Sequence, residues 1–377
     1  MKVGFHLDSF SLRGVTGSTI SLARAWRGVL GNESLLIKSE GYDTWFRQKS
    51  VRQYQNEFQI YSYKDTERLA EIIKKTGIEA LYIQTSGQQD ERFRNISVPI
   101  WIHSVFPSKI SDIHGEKYAC ISEWLAKESF NGKIPYIPYI VNKSLPTIGK
   151  EEWAKTMGIQ RDSVIIGSLG GQYSFDLKIA QEGIIEALNK RENIYFISLN
   201  HKRFTTHERA IFLAGTDDPE IKSNFISSCD AMLHGRAQGE TFGLACAEFA
   251  AAGKPIFAWR HSPEQHHLKK FCQDELKYSK IKELTRKIVE FDKDKWNPNL
   301  ISEKCDEFKA NLVINKFQDT FNGPNEIFKF TLTDHLKIFK NRIKRSTRSK
   351  VSLSNINVTT ISNTTIDPIS KNRMEIE

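Results

Sequence analysis

The sequence predicts an α/β protein of two Rossmann-like, doubly wound domains, followed by C-terminal helices and a disordered polar tail. Three observations carry that expectation. Strand-like apolar runs alternate with helical patterns along most of positions 1–300, the order that yields parallel sheets covered on both faces. A length of 377 residues exceeds the roughly 250–300 at which a single core stops growing, so two domains facing across a cleft are expected. Finally, the prolines of Ile134-Pro-Tyr-Ile-Pro-Tyr-Ile-Val-Asn142 disfavour helix and read as an extended link between two runs of that alternation.

In the first half, strands are expected at Val3–Leu7, Ser34–Ile37, Phe58–Tyr61, Ala80–Ile83, Ile100–His103 and Tyr118–Ile121, with helices at Thr19–Val29 and Thr66–Lys75. The second half reads as strands at Val164–Ser168, Ile194–Leu199, Ala210–Ala214, Ala231–His234 and Pro255–Ala258. Helices lie between them at Leu177–Lys190, Ile221–Cys229 and Phe242–Ala252. The expected division is 1–145 and 146–320 for the two domains, 321–350 for a basic helical segment and 351–377 for the tail, whose Ser, Thr and Asn content is poor in core formers.

Composition sets further bounds. A hydrophobic share of 39% with 26% charged residues describes a globular chain, and no apolar run approaches the roughly 18–20 residues of a membrane span. Met1-Lys-Val-Gly-Phe-His-Leu-Asp8 reads as a first strand, not a secretory leader. The five cysteines are scattered and form no C-x-x-C pair, so neither a disulfide framework nor a zinc site is expected and a reducing cytoplasm is the simplest home. The net charge of +9 is uneven. Much of it lies in 337–350, either a solvated helix or a basic amphipathic one that makes peripheral contact with anionic membrane. Aromatics do not interleave with that charge, which argues against nucleic acid.

The most specific stretch is Glu240-Thr-Phe-Gly-Leu-Ala-Cys-Ala-Glu248, which spreads two carboxylates across a strand-to-helix junction. A helix starting near Phe242 leaves the N–H groups of Phe242, Gly243 and Leu244 pointing outward, where they and the helix dipole favour phosphate. Gly243 allows close approach. Glu248 can accept from the two hydroxyls of a ribose, and Glu240 can face those of a sugar. In isolation, such a pair is more commonly a loop acid and a solvated helix face.

Asp230-Ala-Met-Leu-His234, Glu240-x-Phe-Gly-Leu, Glu248 and Ala251-Ala-Gly-Lys-Pro-Ile256 together resemble the donor-site segment of retaining GT-B glycosyltransferases, in particular family 4 (glycosyl transferases group 1). The match is specific over this segment and looser elsewhere. The resemblance implies the GT-B fold and transfer of a sugar, with retention, from a nucleoside-diphosphate sugar to a hydroxyl of a glycan or glycolipid. It implies no cofactor and no metal. Thr241–Leu244 would line the donor, Glu240 orient its sugar and Glu248 bind ribose.

The resemblance also implies roles elsewhere. His103, ending the strand in Val98-Pro-Ile-Trp-Ile-His103, matches a histidine beside the donor sugar, although a strand-end histidine is commonly structural. Gly14-Val-Thr-Gly17 occupies the place of a glycine-rich loop near the donor phosphates, with Gly17 the closest candidate. Ser122 reads as a helix N-cap. Relatives carry Gly-Arg after the first strand of the second domain, whereas this chain reads Gly167-Ser-Leu-Gly-Gly-Gln-Tyr-Ser-Phe-Asp-Leu-Lys178. Lys178 and Arg236 are the candidate replacements for the missing charge, and Gly171 with Gly170 offers backbone N–H groups. Catalysis would then be positioning and stabilisation of the leaving diphosphate. The alternatives are an inactive GT-B protein that binds sugar nucleotide or acts as a scaffold, and a GT-B epimerase that needs further carboxylates at its site.

Overall fold

A computed structural model of the chain describes residues 1–12, 14–40, 54–143, 145–324 and 328–353. They form two compact units, Met1–Ile140 with Glu307–Lys344, and Val141–Asp306 with the chain from Arg345.

The first unit comprises β1 (Lys2–Leu7), α1 (Gly14–Gly28), β2 (Glu33–Ser39), β3 (Ile60–Tyr63), α2 (Thr66–Thr76), β4 (Ala80–Thr85), β5 (Ile100–Ser104), β6 (Lys117–Cys120) and α3 (Glu123–Phe130). All strand pairings are parallel in the order β3-β2-β1-β4-β5-β6. Parallel strands covered on both faces are buried along their length, and β1 is buried from Val3 to Leu7. Helix ends follow local chemistry. Asp65 caps α2 by accepting from the Arg68 amide, Gly77 closes it in the left-handed region, and Ser122 caps α3 by accepting from Leu125, as expected. Beyond α3 the proline-rich stretch runs extended beside β6, with the Ile137 amide donating to Cys120.

One boundary differs from expectation. Gly14–Gly17 is the first turn of α1, not a loop before it. Two glycines weaken a helix interior by roughly 0.5–1 kcal/mol each, but here they sit at its start, where the Thr16 hydroxyl donates to the Ser9 carbonyl.

The second unit comprises α4 (Lys150–Thr156), β7 (Val164–Leu169), α5 (Lys178–Lys190), β8 (Ile194–Leu199), β9 (Ala210–Leu213), α6 (Pro219–Ser228), β10 (Ala231–Leu233), β11 (Gly239–Glu240), α7 (Leu244–Ala251), β12 (Ile256–Trp259), β13 (Glu264–Gln265), α8 (His266–Lys270), β14 (Lys277–Tyr278), α9 (Ile281–Val289) and α10 (Pro298–Ser302). Its main sheet is ordered β14-β12-β10-β7-β8-β9 and is again all parallel, while β11 and β13 form a separate two-stranded ladder. Both six-stranded sheets therefore reverse direction beside their first strand, and in the second unit that switch point lies between β7 and β10.

Two helices follow: α11 (Ala310–Asn322) and α12 (Leu332–Leu353). The first packs on the sheet of the first unit, with Phe321 stacked on Trp101 at 5.4 Å and Phe317 edge-on to Tyr82 at 5.1 Å. Residues 307–344 thus cluster with the first unit, whereas the sequence assigns 307–320 to the second domain. The helix α12 extends to Leu353, so 351–353 are helical rather than tail; the rest of the expected disordered tail, 354–377, lies outside the described residues.

Candidate functional site at the second switch point

In a doubly wound sheet, the loops beyond the carboxyl ends of the strands flanking the switch point form the ligand site. Here those loops are 170–177 after β7 and 234–238 after β10. They are tied together: the Leu177 amide donates to the Gly235 carbonyl at 2.9 Å and the Ala237 amide to Asp176 Oδ1 at 2.8 Å. This brings the Lys178 end of α5 beside the loop that carries Arg236 and leads to Glu240, while Gly171 lies in the first of the two loops.

Glu240 is the hub. Arg236 Nη1 donates to its Oε2 at 3.0 Å and His234 Nε2 to its Oε1 at 3.3 Å. Burial works to raise the Glu240 carboxyl, yet Arg236 and His234 outweigh it and hold the group below the usual carboxylate range. Glu240 is therefore an oriented carboxylate at neutral pH. Two further acids surround Arg236. Its charge is shared by Glu240, Glu264 and Asp176, which, Glu240 foremost, keep the guanidinium firmly protonated. Glu264 lies on β13 opposite Gly239. Its Oε1 accepts from Gln238, its buried Oε2 has no partner, and burial pushes its carboxyl up to about 7. Asp176 is raised for the same reason.

A pair of histidines completes the floor. The rings of His234 and His267 lie 4.3 Å apart, and His234 Nδ1 and both nitrogens of His267 are buried without a partner. Burial lowers the His267 pKa, so that ring is neutral. His201, bonded through Nδ1 to Ser198 at 2.8 Å, is likewise neutral, with burial bringing its pKa down to about 3.

The helix beyond Glu240 starts two residues later than expected. Gly243 takes φ +89°, a conformation that L side chains rarely adopt, so Leu244 is the first helical residue of α7. No side chain caps this start, which leaves its first amides without partners inside the helix. Phe242 belongs to the core through its ring, buried against His266 and Phe271, and Thr241 is buried as well. Glu248, in the second turn of α7, is met by Lys222 of α6 in an ion pair.

The remaining expected residues are Lys178, Gly171, Gly17 and His103. Lys178 opens α5, half exposed, and pairs with Glu182 at 3.5 Å. Neither Gly171 nor Gly17 is a glycine for packing reasons: a Cβ on Gly171 would meet Ser174 only at ordinary contact distance, and one on Gly17 would meet nothing within 4 Å. His103 lies on β5. It is fully buried in the first unit, its Nε2 donates to the Ile137 carbonyl at 2.9 Å, and its Nδ1 accepts from Tyr82 at 2.6 Å. With both nitrogens committed and burial pulling its pKa down to about 4, the His103 ring is neutral and engaged within the first unit.

Sequence reasoning missed Lys222, Glu264 and His267. The signal for Glu264 lay in the run Ser262-Pro-Glu-Gln-His-His267, which places three titratable groups within four residues just after a strand. The sequence also holds one Asp-x-Asp, Asp292-Lys-Asp294, but Asp292 caps its own turn by accepting from the Asp294 amide. Among the described residues, no three His, Cys, Asp or Glu converge as a metal site.

Neither a family model nor a curated protein matches the sequence. Solved structures do match in fold. A glycosyltransferase from Rickettsia africae superposes with a TM-score of 0.65 at 14% identity, over 85% of this chain and 97% of its own. Anabaena HepE in complex with UDP and glucose gives 0.65 at 14% identity, over 86% and 100%. A Listeria monocytogenes protein described as a UDP-N-acetylglucosamine 2-epimerase gives 0.50 at 11% identity, over 88% and 99%.

Proposed function

We propose that this chain, which adopts the GT-B fold, transfers a sugar from a nucleoside-diphosphate sugar to an acceptor hydroxyl with retention. The observation that carries the reading is the Arg236–Glu240 ion pair at the switch point, with Glu240 four residues ahead of Leu244, the uncapped start of α7. The diphosphate would lie over that helix start, where backbone N–H groups and the helix dipole favour anions. Arg236, with Lys178 nearby on α5, supplies the positive charge that the Gly167–Lys178 segment lacks. Stabilising a leaving diphosphate with preorganised donors needs no dedicated base. Glu240, fixed by Arg236 and His234, orients the donor sugar, and Glu248 meets the ribose in competition with Lys222. HepE, with UDP and glucose bound, supports a uridine nucleotide as the first donor to try. The acceptor would be a glycan or glycolipid. The burial of all five cysteines supports a reducing, cytoplasmic setting.

A second reading is favoured by one observation. Glu264, pushed up to about 7, is a carboxyl able to exchange a proton near neutrality beside Glu240, which is what a sugar-nucleotide epimerase requires. Incubation with a panel of nucleotide sugars separates the two. Release of nucleoside diphosphate, with a product of unchanged anomeric configuration by NMR, supports transfer. An epimerised sugar nucleotide with no diphosphate released supports the second reading, and no turnover of any donor contradicts both.

A further inference from the structure

We propose that α12 docks this protein on an anionic lipid surface, lying in the plane of the interface. Leu332, Leu336, Phe339 and Ile343 recur at helical spacing and so share one face; all four are exposed, Leu332 at 76% and Phe339 at 60%. The opposite side faces the protein. Ile338 is buried, and Asp334 is buried while accepting from the Thr331 amide at 2.8 Å and from Asn131 at 2.6 Å. These contacts fix the helix so that its apolar stripe points outward rather than rolling inward.

The charge beside the stripe selects the occupant. Exposed Lys337, Lys340 and Lys344 line one flank, and the only acid in the helix is Asp334, on the far side. A second copy laid stripe to stripe would bring like-charged flanks together, whereas an anionic bilayer offers acyl chains to the leucines and phenylalanine and phosphate to the lysines. Among the described residues no helix is long and apolar enough to cross a membrane, so the contact is peripheral.

The test is co-sedimentation of the full chain with phosphatidylcholine vesicles containing or lacking phosphatidylglycerol. Binding to the anionic vesicles is expected, weakening as salt rises. Lys337→Gln/Lys340→Gln/Lys344→Gln lowers partitioning on the order of 100-fold, from roughly five-fold per lysine, and Leu336→Asp/Phe339→Asp abolishes it with unchanged circular dichroism. These positions lie outside the donor site, so nucleotide-sugar binding by both variants should persist, which keeps this test separate from that of the proposed function. Absence of wild-type binding, equal binding by the variants, or dimerisation lost in Leu336→Asp/Phe339→Asp without any lipid binding would overturn the proposal.

Discussion

Arg236 donates to Glu240 at 3.0 Å, so under the proposed function the cation that meets the diphosphate also holds the carboxylate that meets the sugar. The two residues act as one unit. Arg236→Ala removes the counter-charge and leaves Glu240 beside Glu264 and Asp176, and it should lower kcat/KM by about 100- to 1,000-fold. Glu240→Gln should retain nucleotide binding and lose mainly kcat. Steady-state kinetics on both variants check this, and equal effects on kcat and KM in Glu240→Gln would contradict the orienting role.

Glu264 predicts a pH dependence of stability. Its carboxyl is raised from 4.5 to about 7, so relative to the unfolded chain it stabilises below pH 4.5 and loses that contribution as pH rises through 7, about 3 kcal/mol in all. Glu264→Gln should flatten the Tm profile over this window and gain most at pH 8. Thermal unfolding from pH 5 to 8 measures it; parallel profiles for wild type and variant would refute the assignment.

His103 separates a core role from a site role. His103→Asn leaves Tyr82 and the Ile137 carbonyl without their buried partner and should cost about 2–4 kcal/mol of stability. Nucleotide-sugar affinity of the folded variant should stay at the wild-type value. Affinity lost without a fall in Tm would restore His103 to the site. In the same direction, the neutral His6, His103 and His201, lowered to about 4, 4 and 3, predict stability that is lost as pH falls from 6.5 toward 4.

Much of the fold was legible because its signals are local. Parallel strands read as apolar runs, Ser122 announces a helix start, and the Glu240–Glu248 segment carries its spacing within one junction. What was hidden depends on chain crossings. Lys222 reaches Glu248 from the preceding helix, and Glu264 reaches Gly239 through a ladder formed only after β12 returns. Nor does the sequence show that Tyr82, Ile137 and Phe321 close over His103 from three separate segments, because a strand-end histidine looks the same whether its end is open or covered. The start of α7 was misplaced because the left-handed turn at Gly243 interrupts a sequence whose composition favours helix.

Lys222 and Glu248 give a further prediction. Glu248→Ala should weaken nucleotide binding about 10- to 100-fold, the loss expected for hydrogen bonds to a charged group, while Lys222→Met, which releases the carboxylate, should not weaken it. Isothermal titration with UDP measures both, and weakening by Lys222→Met alone would move the ribose contact from Glu248 to Lys222.

The central claim is that the switch point between β7 and β10 binds a nucleoside-diphosphate sugar. Thermal unfolding with a panel of nucleotide sugars at millimolar concentration tests it most directly. The account predicts that at least one raises Tm by several degrees in the wild type, with the shift lost in Arg236→Ala and Glu248→Ala. No shift with any of them, or one that both variants retain, would contradict it.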